Sequence, residues 1–245
     1  MANAEYMERL RNGVRAWNDW VVPFQISGRD VGLFDLRCAQ LEGAQLGGVI
    51  LPGADLSEAQ LAGVNLSGAT LINSNLSRAD LCGADLHEAD LVGADLSHSN
   101  LSGADITGAK LMRANLSHAD LTQAVLRCDL SFSNLSYANL TNADLTDADL
   151  TDARMDGVDL RGAILNRTNL EGVHVSDAIF GFTVLVDIDL SVASELEAAK
   201  HEGPSSIGLN TLYESHGRIP EGFLRQAGVP EDIIQHLLPR IRQAE

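Results

Sequence analysis

His98 and His118 stand 20 residues apart, and two imidazoles at a fixed separation are the beginning of a metal site. Such a site needs further ligands, and no third ligand type falls at a matching position. The three cysteines, Cys38, Cys82 and Cys128, form no C-x-x-C pair and no even disulfide framework. Carboxylates are the other chemistry on offer, with 34 Asp and Glu in the chain. Acid–base work requires a pocket that moves a carboxyl pKa, whereas most of these acids simply recur on a fixed period. There is no P-loop, dinucleotide glycine pattern, nucleophile elbow or H-E-x-x-H. The sequence assigns no catalytic, cofactor-binding or metal-ligating residue and points away from an enzyme.

What positions these residues is a repeat. From Leu36 to Leu190 leucine or a near-substitute returns every fifth residue, as in Ala54-Asp55-Leu56, Ala84-Asp85-Leu86 and Ala148-Asp149-Leu150. A helix advances about 100° per residue, so a five-residue step would scatter the leucines around it. A flat strand fails as well, because an odd step alternates faces. The small residue and the leucine are two apart, which is the strand period. Both face inward only if the chain runs briefly extended, turns a corner and starts again. Asp or Asn before the leucine, with Ser or Gly after it, suits such corners. The expectation is an all-β solenoid whose inward stack includes Leu56, Leu76, Leu96, Leu116, Leu135 and, near its end, Phe180.

The tandem A-(D/N)-L-X-X units resemble the pentapeptide repeat family. That resemblance implies a right-handed quadrilateral β-helix with four pentads per coil. About 160 residues at 20 per coil give about 8 coils, a rod roughly 38 Å long at a strand spacing of about 4.8 Å. It also implies interaction rather than catalysis. Some members act as DNA mimics that bind DNA gyrase.

One residue is missing between Leu126 and Leu130, so a corner must tighten there or the stack must kink. Stacking residues 20 apart, or 19 across the deletion, sorts the outward positions into columns. Arg78, His98, His118 and Tyr137 follow Glu58 in one, Arg113 lies next to Phe132, and Asp147, Arg167 and Asp187 alternate in charge. Outward aromatics cluster near the break, and aromatics with Arg anchor interfaces. Arg113, Phe132, Tyr137, Asp147, Asp152, Asp156 and Phe182 are therefore the candidate partner surface, set against plain solvated variation.

The net charge is −17. Residues 31–190 hold 22 Asp and Glu against 8 Lys and Arg, and 13 of those acids are the Asp before a repeat leucine. The acidity opposes direct nucleic-acid binding and is largely a by-product of turn geometry. No run approaches 18 apolar residues, and the N-terminus lacks the pattern of a signal peptide, which with the cysteine usage favours the cytoplasm.

Three parts are expected: a capping helix (1–25), the repeat (26–190) and a helical tail (191–245). Met7, Leu10, Val14, Trp17 and Val21 make one apolar helix face over residues 4–21, with Pro23 as its end and Ile26 and Val31 already in register. Ser191 reads as the N-cap of a short helix. In the tail, Phe223, Leu224, Ile233, Ile234, Leu237 and Leu238 form the candidate dimer surface, to be weighed equally against capping alone.

The tail carries a second resemblance. His201 to Leu212, Arg218-Ile219-Pro220, Phe223-Leu224-Arg225 and Ala227-Gly228-Val229-Pro230 are similar to a segment that joins pentapeptide repeats to a TIR domain in bacterial proteins. The opening, Leu10 to Trp20, is similar to the start of the same proteins. Glu245 falls about where a TIR domain would begin, and no TIR catalytic residue is present, so no NAD-cleaving activity carries over. The functional expectation is a non-catalytic scaffold or interaction module with an unknown protein partner and no membrane contact. A gyrase-binding DNA mimic is the alternative.

Overall fold

A computed structural model describes residues 2–27 and 34–243, with side chains described outside 23–33. Helices α1 (Ala4–Arg11) and α2 (Val14–Ser27) come first. The single helix expected over 4–21 is broken at Asn12-Gly13, where Gly13 takes φ +99°. The apolar face survives the break: Met7, Leu10, Trp17 and Val21 are all buried. Pro23 does not end the helix, and Ile26 lies on α2 rather than in the repeat. A proline inside a helix costs one backbone hydrogen bond but does not forbid its continuation. Val31 lies outside the described residues.

From Asp35 onward the backbone winds into a parallel coil. Asp35 pairs with Asp55, Asp55 with Asn75 and Asn75 with Asp95, each 20 residues and so four pentads apart. Within each unit Leu donates its N–H forward and Asp donates backward, as in Leu56 N to Asn75 O at 2.7 Å and Asp55 N to Phe34 O at 2.9 Å. Between units the chain turns through a bond such as Ala59 N to Leu56 O, 3.1 Å. The third residue of each turn adopts positive φ, for example +58° at Glu58 and +65° at Gly103. Glycine tolerates that region freely, while other residues sit there at a cost of about 1–2 kcal/mol. Inside, Leu56, Leu76, Leu96, Leu116, Leu135 and Phe180 are all buried, and so are the alanines beside them. This is the inward register expected from the period.

At the deletion the corner tightens and the stack continues. Cys128 N reaches Leu126 O at 2.9 Å, a turn one residue shorter than the rest. Pairing shifts to 19 residues from Lys110–Asp129 through Val125–Asp144 and returns to 20 at Asp129–Asp149. Cys128 takes the small inward position, where burial pushes its thiol pKa far up.

The coil does not stop at 191. Strands β1 (Ile164–Asn166), β2 (Ile179–Phe180) and β3 (Val184–Val186) are followed by β4 (Lys200–His201) and β5 (Ser206–Ile207). β2 pairs with β4 and β3 with β5, both parallel. The offset grows from 20 at His174–Ser194 to 21 at Ile179–Lys200 and 22 at Val184–Ser206. Ser191 accordingly belongs to the coil. Asp189 Oδ1 accepts its N–H at 2.8 Å and its hydroxyl at 2.6 Å, and Glu195 precedes the short 3₁₀ turn Leu196–Ala198.

Helices α3 (Leu209–Glu214), α4 (Glu221–Gln226) and α5 (Leu238–Gln243) close the far end. Both ends satisfy backbone groups that a bare coil would expose. At the start Asn3 N donates to Asp35 O, Trp17 Nε1 to Ile50 O (2.8 Å) and Asn18 Nδ2 to Gly48 O (2.9 Å), while Asn18 Oδ1 accepts from Ile50 N. At the end Ser215 Oγ accepts from Leu190 N, and Thr211 Oγ1 donates to Leu185 O.

Candidate interaction surface

All thirteen repeat aspartates perform the same local task. Each places Oδ1 where it accepts the backbone N–H two residues on, as Asp55 does from Ser57 (3.1 Å) and Asp105 from Thr107 (3.0 Å). Where Ser or Thr follows, its hydroxyl often adds a second bond, 2.5 Å from Thr122 to Asp120. Seven asparagines make the same turn, Asn65 and Asn75 among them. The amide of one coil also bonds the carboxylate of the coil before it, as in Asn100 Nδ2 to Asp80 Oδ1, 2.9 Å. Hydrogen bonding holds the Asp105 carboxyl below the usual carboxylate range, the Thr107 side chain contributing most. At Asp144 burial opposes the same shift, but bonds from Thr146 and Arg127 outweigh it.

The outward columns are real stacks. His98 and His118 lie ring on ring, centroids 4.8 Å apart and planes 3° from parallel, and Tyr137 stacks on His118 at 5.2 Å and 10°. Parallel rings aim their nitrogens in parallel planes, so the two imidazoles do not converge on one ion. Among the described residues no group of three His, Cys, Asp or Glu could hold a metal. Beyond Tyr137 the column reaches Gly157, and a shallow groove of about 450 Å³ opens there beside Arg154, Asp156 and Asp177.

The candidate partner residues divide among the corners. Arg113, Phe132 and Asp152 follow one another in a column, with the Arg113 guanidinium 5.9 Å from the Phe132 ring centre. Tyr137 and Asp156 sit on the neighbouring corner, joined by Tyr137 N to Asp156 O. Asp147 and Phe182 fall in two further columns, so the seven residues do not form one patch. Two of the three acids are already paired: Asp147 by Nε and Nη2 of Arg167, each at 2.7 Å, and Asp156 by Arg154 at 3.2 Å. Phe132, Tyr137 and Phe182 are 50%, 61% and 66% exposed.

The tail surface needs a larger correction. Phe223, Leu224, Ile234 and Leu238 are buried within the chain, and only Ile233 and Leu237 are partly exposed. Phe223 packs edge-on to Phe180 at 5.2 Å and to His201 at 4.6 Å. His201 takes the inward position above Phe180, where burial lowers its pKa. An amphipathic pattern identifies an apolar face but not what covers it, and here the rod's own last coil does.

One feature went unread in the sequence. Pro52, Ile72, Val92 and Met112 are successive residues, 20 apart, at the outward position directly after the leucine. In the other columns that position mostly holds polar residues, as at Ser57, Ser77, Ser97 and Ser117. All four apolar side chains are half-buried on one face of the rod. Aligning the outward positions at the coil period exposes the stripe; the five-residue period alone hides it.

A family model for pentapeptide repeats matches between residues 39 and 191, in overlapping segments 39–78, 59–97, 89–127, 127–162 and 153–191. No curated protein gives a significant match. Among solved structures, the chain is similar to HetL, a pentapeptide repeat protein involved in heterocyst differentiation regulation in Nostoc sp. strain PCC 7120. Identity is 28% over 78% of this chain and 95% of that one, with a TM-score of 0.37. QnrB1, a plasmid-mediated fluoroquinolone resistance protein, is 23% identical over 69% and 86%, TM-score 0.35. Rfr23 from Cyanothece 51142 is 28% identical over 55% and 85%, TM-score 0.30.

Proposed function

The chain belongs to the pentapeptide repeat family, and on that premise we propose that it is a non-catalytic interaction rod. The family fold is a right-handed β-helix. We read its finer form as four-sided with about 8 coils, which the pairing of residues 20 apart and a turn in every pentad support. The N-terminal helices and the C-terminal helices serve as caps. The tail couples the rod to a protein partner or effector domain, with Ile233 and Leu237 at its rim as the surface left for self-association. A reducing cytoplasm is the compartment that fits three free cysteines. Among the described residues no helix is long and apolar enough to cross a membrane.

The observation that carries this reading is the common role of the repeat acids. Every repeat carboxylate accepts a hydrogen bond inside its own turn, so the acidity follows from the architecture. Recognition then rests with the stacked outward columns, whose side chains the coil holds at fixed spacing. The alternative, a DNA-mimicking gyrase ligand, rests on the surplus of 14 acids over bases in residues 31–190. A supercoiling assay with purified gyrase, run with and without a quinolone, separates the two. The scaffold reading expects no effect at micromolar protein. Inhibition or protection would replace it with the gyrase ligand. Loss of such an effect on charge reversal at Asp147, Asp152 and Asp156 would then establish mimicry as its mechanism.

A further inference from the structure

The C-terminal helices meet the rod over a seam that leaves three buried polar atoms without partners. Leu140, Leu160 and Phe180 fill one inward column, and the next residue in that column is His201. Its ring lies 5.5 Å from that of Phe180, 22° from parallel, and Phe223 of α4 closes on it edge-on at 4.6 Å. The residue is half-buried, yet Nδ1 and Nε2 are both shielded from solvent and neither makes a hydrogen bond. Ser205 Oγ is the third such atom; Ser205 N donates to Ala227 O just past α4, at 2.9 Å. From this seam we infer that His201 is a proton-operated latch, whose protonation releases the C-terminal helices from the end of the rod. The latch works within one chain, so it does not depend on the tail having a partner.

A neutral imidazole can pack between two phenyl rings, although its own hydrogen bonds stay unmade. An imidazolium in the same place carries a charge and two N–H donors that nothing accepts. The charges on the surrounding elements are engaged elsewhere. Lys200 pairs with Asp177 at 2.7 Å, Glu202 with Arg161 at 2.6 Å, and Arg225 of α4 with Glu221 and Glu231 at 3.0 and 3.1 Å. Glu195 and Glu197 around the 3₁₀ turn, Glu214 of α3, and His216 and Arg218 between α3 and α4 are exposed. Released, the imidazole returns to its ordinary pKa of about 6.5; docked, burial alone holds it lower. The seam is therefore tightest above about pH 6.5. Below it the docked-to-released ratio falls by up to about tenfold per pH unit, until the docked pKa is reached. Repeat carboxylates give way only below about pH 4, so the window between belongs to histidine.

Hydrogen exchange on the full chain at about pH 7.5 and about pH 5, corrected for intrinsic rates, tests this. The expected result at the lower pH is a roughly tenfold or greater loss of protection across α3 and α4, with the coils from Leu61 to Leu140 unchanged. His201→Phe keeps an aromatic ring and removes the proton site, so its tail should be equally protected at both pH values. An NMR titration of the His201 ring in the parent gives a second reading and should show a pKa below about 6.5. Equal tail protection in the parent at both pH values, the same loss in His201→Phe, or loss spread evenly along the rod would overturn the proposal. So would a titration at or above the ordinary value, which would mean that the phenyl rings favour the cation.

Discussion

At the scale of the residue, the repeat aspartate explains both the acidity and its consequence for pH. Its carboxylate is a turn acceptor, and at Asp105 and Asp144 hydrogen bonding holds the folded pKa below the ordinary value of about 3.9. A depressed carboxyl stabilises the fold above that value, and the contribution is lost as pH falls toward the folded pKa. At Asp35, beside Arg37, the window extends down to about 2. Asn fills the same turn position at seven places without titrating. Asp105→Asn should therefore leave the melting temperature at pH 7 within a few degrees of the parent and reduce its fall below about pH 4. Thermal melts across that range decide it; an unchanged acid slope would mean the turn bond contributes nothing. Glycine in the same corners tests the backbone alone. A Cβ added at Gly103 meets nothing within 4 Å, so Gly103→Ala should cost about 1 kcal/mol through its φ of +65° and no steric clash. Urea unfolding measures this, and a loss well above that figure would point to an unseen contact.

At the scale of the element, a strict period made the coil legible and its absence hid the ends. Small residue, Asp and Leu at fixed spacing imply the inward register from Leu36 to Leu190, while the residue missing at Arg127-Cys128 leaves a tighter corner and a kinked stack equally open in the sequence. Past Leu190 the backbone keeps pairing while the offset stretches to 21 and 22, and no sequence period follows a lengthening step. The Asp189–Ser191 turn copies the repeat's own turn, and Ser191 reads as a helix cap in the sequence only because the next leucine, Leu196, arrives late. Pro23 is a related case: proline marks a helix end on average, and α2 continues through it. Of the candidate site, the stacked columns could be counted off in steps of 20, but the pairing of Asp147 and the burial of Phe223 depend on side-chain placement. The capping elements carry their own test. Asn18→Ala leaves the Gly48 carbonyl and the Ile50 N–H without their side-chain partners, a cost of about 1–3 kcal/mol. The variant should melt lower and scatter more light on heating, since an open first coil can pair with another chain. Equal melting and equal scattering would mean that water replaces Asn18 fully.

At the scale of the whole molecule, stability is a sum over neighbouring coils, because each coil touches mainly the ones before and after it. The core is one continuous column from Met7 and Trp17 at the start to Leu238 and Ile241 at the end. A break in its middle therefore separates two shorter stacks, each capped at only one end. Leu96 is 1% exposed and lies well inside the column. Leu96→Arg buries a charge with nothing inward to pair it, a penalty of several kcal/mol after relaxation. The central coils should open while the capped ends retain some order. Hydrogen exchange resolves this by position: the expected pattern is lost protection from about Leu76 to Leu116, with protected amides remaining near Trp17 and Leu224. Uniform loss across the chain would mean that the rod folds as one indivisible unit. Protection like that of the parent would mean that position 96 does not face inward.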